Sequence, residues 1–171
     1  MGDLLCMNSG LGPRFGMRRG RRAIDLYEQG YALEASDPEA AAAAYRRALA
    51  GRPDLADAHN NLGRLVHEAG ELAAAEGHYR LALCAAPEVA LYWFNLGVVL
   101  EDQGRSAEAI ASYEQALVLD AGLADAHFNV ARLLERLGGA RGDDLVIHSA
   151  VRHLVRYRDL TRADAGARSR S

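Results

Sequence analysis

From Ala23 to Leu160, apolar residues recur at intervals of three and four, and glycines interrupt the runs. That period is the signature of helices with one buried face, and the glycines mark where one helix gives way to the next. The pattern then repeats. Tyr45, Tyr79 and Tyr113 lie 34 residues apart, as do Ala41, Ala75 and Ala109, Ala48, Ala82 and Ala116, and Leu49, Leu83 and Leu117. Asn61, Asn95 and Asn129 keep the same spacing, with Leu62, Leu96 and Val130, Gly63, Gly97 and Ala131, and Gly70, Gly104 and Gly138. Each repeat therefore reads as helix, glycine turn, helix.

Residues 56–89 show how one repeat is built. Gly63, Ala75 and Ala82 let two helices approach to about 8 Å, the short end of the usual range. Leu62, Val66 and Tyr79 fill the space beside those contacts. Gly70 supplies the left-handed residue that ends the first helix, and Pro87 stops the second. Ser36 with Glu39 reads as a capping box with Pro38 at the first helical position, and Ser106 as the cap of the second helix of the third repeat.

Composition narrows the class. Alanine fills 33 of 171 positions and aromatics only 6%, which favours closely packed helices over sheets, so the chain is expected to be all-α. With half its residues hydrophobic and a quarter charged it is neither a disordered chain nor a membrane span. All 20 basic residues are arginine, pointing to a GC-rich, bacterial source. The net charge of −3 is segregated: residues 1–22 carry +4, 23–136 carry −10 and 137–171 carry +3. Cys6 and Cys84 are too few for a disulfide framework, and with no leader-like segment a reducing, cytoplasmic setting is expected. Residues 1–22, rich in glycine and arginine, read as a disordered basic tail, 23–160 as the repeat domain and 161–171 as a second disordered tail. The repeats fall at about 23–55, 56–89, 90–123 and 124–160.

The segments HNNLGRLVHEAGELAAAEGHYRLALCAAP and WFNLGVVLEDQGRSAEAIASYEQALVLD resemble the tetratricopeptide repeat family, and the likeness covers residues 23–158. The first repeat is looser: Gly30 and Leu33 fit, but its turn is one residue short relative to Tyr45. The third has Ala121 where the family ends on proline. The fourth carries an insertion, GARGDDL, before a helix at about 143–160 in which Ala150, Leu154 and Tyr157 take the packing positions. The resemblance implies a right-handed helical-repeat solenoid of about four helix-turn-helix units, with the first helices lining a concave side. Concave positions carried over from the family include Asn60, Asn61, Arg64 and His67, then Phe94, Asn95, Val98 and Glu101, then Phe128, Asn129, Arg132 and Glu135.

The asparagines carry the main functional expectation. A primary amide both donates to and accepts from a peptide backbone, so Asn61, Asn95 and Asn129 on successive repeats suit an extended partner chain. Asn60, Arg64, Phe94, Phe128 and Arg132 complete the expected partner-binding set. The competing reading is that the asparagines bond neighbouring helices. Similarity to chaperone-tail binders implies a two-carboxylate clamp, but the matching positions are Asn60, Arg64, Asn95, Asp125 and Asn129. Asp125 would repel a carboxylate, so chaperone C-termini are not the expected partner.

Chemistry of other kinds has thinner support. Asp144 and His148 are four apart on a predicted helix and could form a general-base dyad, with His153 near in sequence, but no nucleophile or phosphate loop accompanies them. His59 and His127 stand at the family's tryptophan position and read as packing residues, and Cys84 as a small buried hydrophobe. No enzyme activity, metal or cofactor is expected. Arg18, Arg19, Arg21 and Arg22 could meet nucleic acid, although a solvated tail is the simpler reading. The expected function is a scaffold or adaptor binding a protein or peptide, with an array end as a candidate homodimer surface and no membrane contact. The alternative is a regulatory module of a bacterial DNA-binding transcriptional regulator whose DNA-binding part lies outside this chain. A glycosyltransferase accessory array would need a catalytic domain downstream, for which the chain ends too soon.

Overall fold

Helix starts and stops follow the backbone chemistry of a few residues. The computed structural model describes residues 13–141 and 143–168, and among them the chain forms eight α-helices and no strand. These are α1 (Pro13–Leu33), α2 (Pro38–Gly51), α3 (Ala56–Glu68), α4 (Leu72–Ala85), α5 (Ala90–Asp102), α6 (Ser106–Leu119), α7 (Ala124–Arg141) and α8 (Asp144–Arg168). They pack as α1 with α2, α3 with α4, α5 with α6 and α7 with α8, and α2 meets α3 as α6 meets α7. The chain forms two compact halves, Met1–Glu88 and Val89–Ser171.

The glycine turns form as expected at two of three positions. Gly70 and Gly104 take φ of 82° and 77°, and the next residues close the helices by Glu71 N–H to Val66 O and Arg105 N–H to Leu100 O, both 2.9 Å. This is the left-handed C-terminal closure that glycine makes without Cβ strain. Gly138 differs: it lies inside α7, which runs on to Arg141. A Cβ there would stand 3.0 Å from Ile147 and 3.1 Å from Val146, so this glycine serves close packing of α8 rather than a turn. Asp143 Oδ1 accepts from the Leu145 and Val146 amides at 3.0 and 3.3 Å to start α8.

Capping corrects two sequence expectations. The side chain that caps α2 is Asp37, accepting from Ala40 N–H at 2.9 Å, whereas Ser36 Oγ donates back to Leu33 O. Pro38 fixes the first helical position, and the cap must be the residue just before it. Ser106 is itself the first residue of α6 and caps nothing; Arg105 stands at the cap position without a capping side-chain bond, its guanidinium pairing with Glu108 instead. The element ends also differ. Helix α1 starts at Pro13, inside the segment read as a tail, and α8 continues to Arg168, beyond the expected end at 160. Residues 1–12 and 169–171 of the expected tails lie outside the described residues.

In the first half, Gly30 on α1 faces Tyr45 on α2 and Gly63 on α3 faces Tyr79 on α4; a Cβ would fall 2.7 and 2.9 Å from the rings. No side chain fits at that distance, so glycine is what lets a tyrosine lie flat between the paired helices. Ala41, Ala48, Ala75 and Ala82 are fully buried beside them. In the second half Gly97 faces Tyr113 in the same way, at 2.6 Å, and Ala109, Ala116, Val130, Ala131 and Leu133 complete the core. Cys84, expected inside, is exposed near the end of α4, where the helix has passed the edge of its buried stripe.

Candidate partner-binding surface

The expected binding residues lie on α3, α5 and α7, and most already have partners within the fold. On α3, Asn61 Nδ2 donates to the Tyr45 hydroxyl at 3.3 Å, and Tyr45 in turn donates to Glu34 Oε1 at 2.6 Å. Arg64 joins the same group, reaching Glu34 Oε2 at 2.5 Å and Glu68 at 2.7 Å. In the second half α7 repeats this arrangement. Asn129 donates to the Tyr113 hydroxyl, Tyr113 donates to Glu101 Oε2 at 3.4 Å, and Glu101 Oε1 pairs with Arg132 at 2.6 Å and Arg136 at 3.0 Å. Burial, followed by the Glu34 bond, pushes the Tyr45 phenol far above its ordinary value. Burial and the Glu101 charge do the same at Tyr113.

These contacts sort the expected residues. Asn60 is a correction: it is buried, and its Nδ2 donates to Asn61 Oδ1 at 3.1 Å. Helix α3 is flanked by α2 and by α4, so a wide face of it is covered and Asn60 falls inside that face. Asn61 and Asn129 are half-buried, as is Asn95 on α5. An amide offers two N–H groups and two lone pairs, so an asparagine that gives one donor to tyrosine keeps capacity for a visitor. Arg64 and Arg132 sit in ion pairs and contribute neutralised rather than unmatched charge. Phe94 is half-buried against Tyr113 with ring centres 5.5 Å apart, while Phe128 meets Tyr157 at 5.3 Å with the rings tilted by 45° and stays 41% exposed.

Other candidates separate from this surface. His148 Nδ1 donates to the Asp144 backbone carbonyl at 2.6 Å, so the ring is engaged by the main chain rather than by the Asp144 carboxylate, and both residues are exposed. A shallow cavity of about 280 Å³ is lined by Arg22, Ala23, Leu26, Arg47, Ala50 and Gly51, on α1 and α2, and contains none of the expected binding residues. The sequence pattern placed Glu101 on the concave side but did not single out Glu34 and Arg136, or the tyrosine hydroxyls as bridging groups. The signal was available, since Glu34 follows Gly30 at the distance that Glu101 follows Gly97.

Profiles of the tetratricopeptide repeat match residues 21–89 and 90–122. The chain belongs to the tetratricopeptide repeat family. No curated protein matches it by sequence. Among solved structures it is similar to MamA, with a TM-score of 0.76 at 18% identity over 88% of this chain and 85% of that one. It is also similar to MamA 41-end from Desulfovibrio magneticus RS-1, with a TM-score of 0.69 at 20% identity over 82% and 76% of the two chains. The first TPR of Spaghetti (RPAP3), bound to the HSP90 peptide SRMEEVD, scores 0.67 at 18% identity over 70% of this chain and 95% of that one. At these identities the likeness concerns the fold. The tetratricopeptide assignment accounts for the glycine–tyrosine contacts of the paired helices, and it leaves the partner to the residues themselves.

Proposed function

We propose that this tetratricopeptide protein is a scaffold that holds an extended peptide or protein partner along the first helices of its repeats, with no chemistry of its own. The observation that carries the reading is the state of Asn61 and Asn129: each is fixed by a tyrosine hydroxyl yet keeps amide capacity, so the amide is pre-oriented rather than floppy. Ordering cost is thereby lowered for a ligand backbone. Exposed Phe128 adds apolar contact, and the paired state of Arg64 and Arg132 argues against a site for isolated carboxylates. The RPAP3 repeat domain shows a relative in fold holding a short peptide, and this chain is proposed to hold one of different chemistry.

The test replaces Asn61, Asn95 and Asn129 together by Ala after a partner has been captured and sequenced. Each lost amide bond costs stability of about 1 kcal/mol, so helicity and melting are followed alongside binding. Phe128→Ala, which removes a ring that is 41% exposed and breaks none of the amide bonds, serves as the second variant. Partner affinity should fall in both variants while the far-ultraviolet helical signal persists. Undiminished affinity in both rejects this surface.

Among the described residues no helix is long and apolar enough to cross a membrane. Exposed Leu145, Val151 and Val155 on α8 support the proposal that an array end pairs two copies. The alternative, a regulatory module of a bacterial DNA-binding regulator, draws on exposed Arg21 and Arg22 on α1. It predicts retention on DNA that weakens with salt.

A further inference from the structure

Four of the six histidines stand in two copies of one arrangement. Between α3 and α4, His59 Nδ1 lies 3.2 Å from His78 Nδ1, and His59 Nε2 lies 3.0 Å from the Pro53 carbonyl. Between α7 and α8, His127 Nδ1 lies 2.9 Å from His153 Nδ1, and His127 Nε2 lies 3.4 Å from the Ala121 carbonyl. Ring centres are 5.4 and 5.1 Å apart. Pro53 and Ala121 occupy the loops that lead into the two repeats. Each pair therefore ties together a loop, a first helix and a second helix.

The protons follow from the partners. A carbonyl only accepts, so His59 and His127 carry hydrogen on Nε2 and present a lone pair at Nδ1. His78 and His153 must then donate from Nδ1. One added proton can enter a pair at the outer nitrogen of the second ring. Two added protons would place N–H against N–H at about 3 Å between like charges, which ends the bond. With two ring nitrogens and no cluster of three or more metal-ligating side chains among the described residues, a proton suits this bridge better than a metal ion.

The surroundings also oppose charge. Burial lowers the pKa of all four rings below the ordinary 6.5, and it outweighs the carbonyl bonds that act the other way at His59 and His127. The charged groups acting on the rings are cations: Arg46 of α2 on His78, and Arg156 and Arg152 of α8 on His127 and His153. The partner ring adds to the effect at His78 and His153. In the third repeat the same register holds Trp93 and Ser112, neither of which titrates in this range. The protein thus contains its own version of the site without the switch.

We propose that the two histidine pairs form a duplicated pH-sensitive clasp, closed while no more than one ring of a pair is charged and released when both rings take up protons. The folded chain then holds at most one added proton per pair, and the opened chain holds two. Because the folded rings resist protonation, the stabilisation is complete above the ordinary imidazole value and is lost as pH falls through it. Below that value each pair should raise the opening equilibrium by at least about tenfold per pH unit.

The experiment compares the full chain with a variant in which His59→Trp, His78→Ser, His127→Trp and His153→Ser install the residues of the third repeat. Urea unfolding is measured from pH 8 to pH 5. The wild type should lose about a hundredfold in its folding equilibrium per pH unit in the acid part of this range, tenfold for each pair, and the variant should lose correspondingly less. Equal acid slopes overturn the proposal. Should the variant not fold, nitrogen-15 spectra of the wild-type imidazoles decide. At pH 8 His59 and His127 should be protonated on Nε2 and His78 and His153 on Nδ1, with both rings of a pair charging together only as the helical signal is lost. The opposite tautomers, or two charged rings in a fully folded chain, would overturn it.

Discussion

At the scale of single residues the fold depends on contacts between glycine and tyrosine rings. Gly97 leaves 2.6 Å between an added Cβ and the Tyr113 ring, which is held by Glu101 and Asn129 and has no room to retreat. Gly97→Ala should therefore destabilise, because overpacking costs typically 1–3 kcal/mol while the gain in helix propensity is only about 1 kcal/mol. Gly77 sits within α4 with nothing near its Cβ position, so Gly77→Ala gains the propensity without the clash. Urea midpoints of the two variants should move in opposite directions. A shared direction would mean that the tyrosine ring is not the constraint.

At the scale of elements, helix starts are set by single caps. Asp37→Ala should cost about 1 kcal/mol through loss of the Ala40 bond, whereas Ser36→Ala should change stability by a few tenths at most. Thermal unfolding of both variants checks the assignment, and a larger loss at Ser36 would contradict it. This case shows what was legible beforehand. The eight helices and their pairing follow from a 34-residue register of small and aromatic residues, because packing periodicity is written in residue size. Caps depend on backbone angles that differ between adjacent residues, so Ser36 and Asp37 could not be told apart by composition. Gly138 failed as a turn because its helix is held by Val146 and Ile147 from the next one, a contact created by the inserted segment. The candidate site was legible as positions but not as states. The register located Asn61, Arg64, Asn129 and Arg132, while their engagement with Tyr45, Glu34, Tyr113 and Glu101 depended on how each second helix and the end of the preceding first helix lie.

At the scale of the molecule, ionisable rings should set the range of pH over which the protein holds together. The acid limit belongs to the histidine pairs. The alkaline limit belongs to tyrosines that stay neutral in the fold: burial pushes Tyr79 up to about 12 and raises Tyr27, Tyr45 and Tyr113 as well. In the unfolded chain these phenols ionise near the ordinary 10. Folded values above the unfolded one mean stability that is intact below pH 10 and is lost as pH rises toward the folded values. Each such tyrosine should shift the folding equilibrium by up to about tenfold per pH unit in that window. Tyr113→Phe isolates one contribution. It gives up the bonds to Glu101 and Asn129, which should cost about 1 kcal/mol at pH 7, and it removes one group whose ionisation favours unfolding. The variant should thus start below the wild type and decline less steeply above pH 10, so that the gap narrows. Denaturant midpoints measured from pH 7 to pH 12, with phenolate absorbance followed in parallel, would show this convergence. Parallel alkaline slopes would mean that the Tyr113 hydroxyl ionises in the folded chain as it does in water.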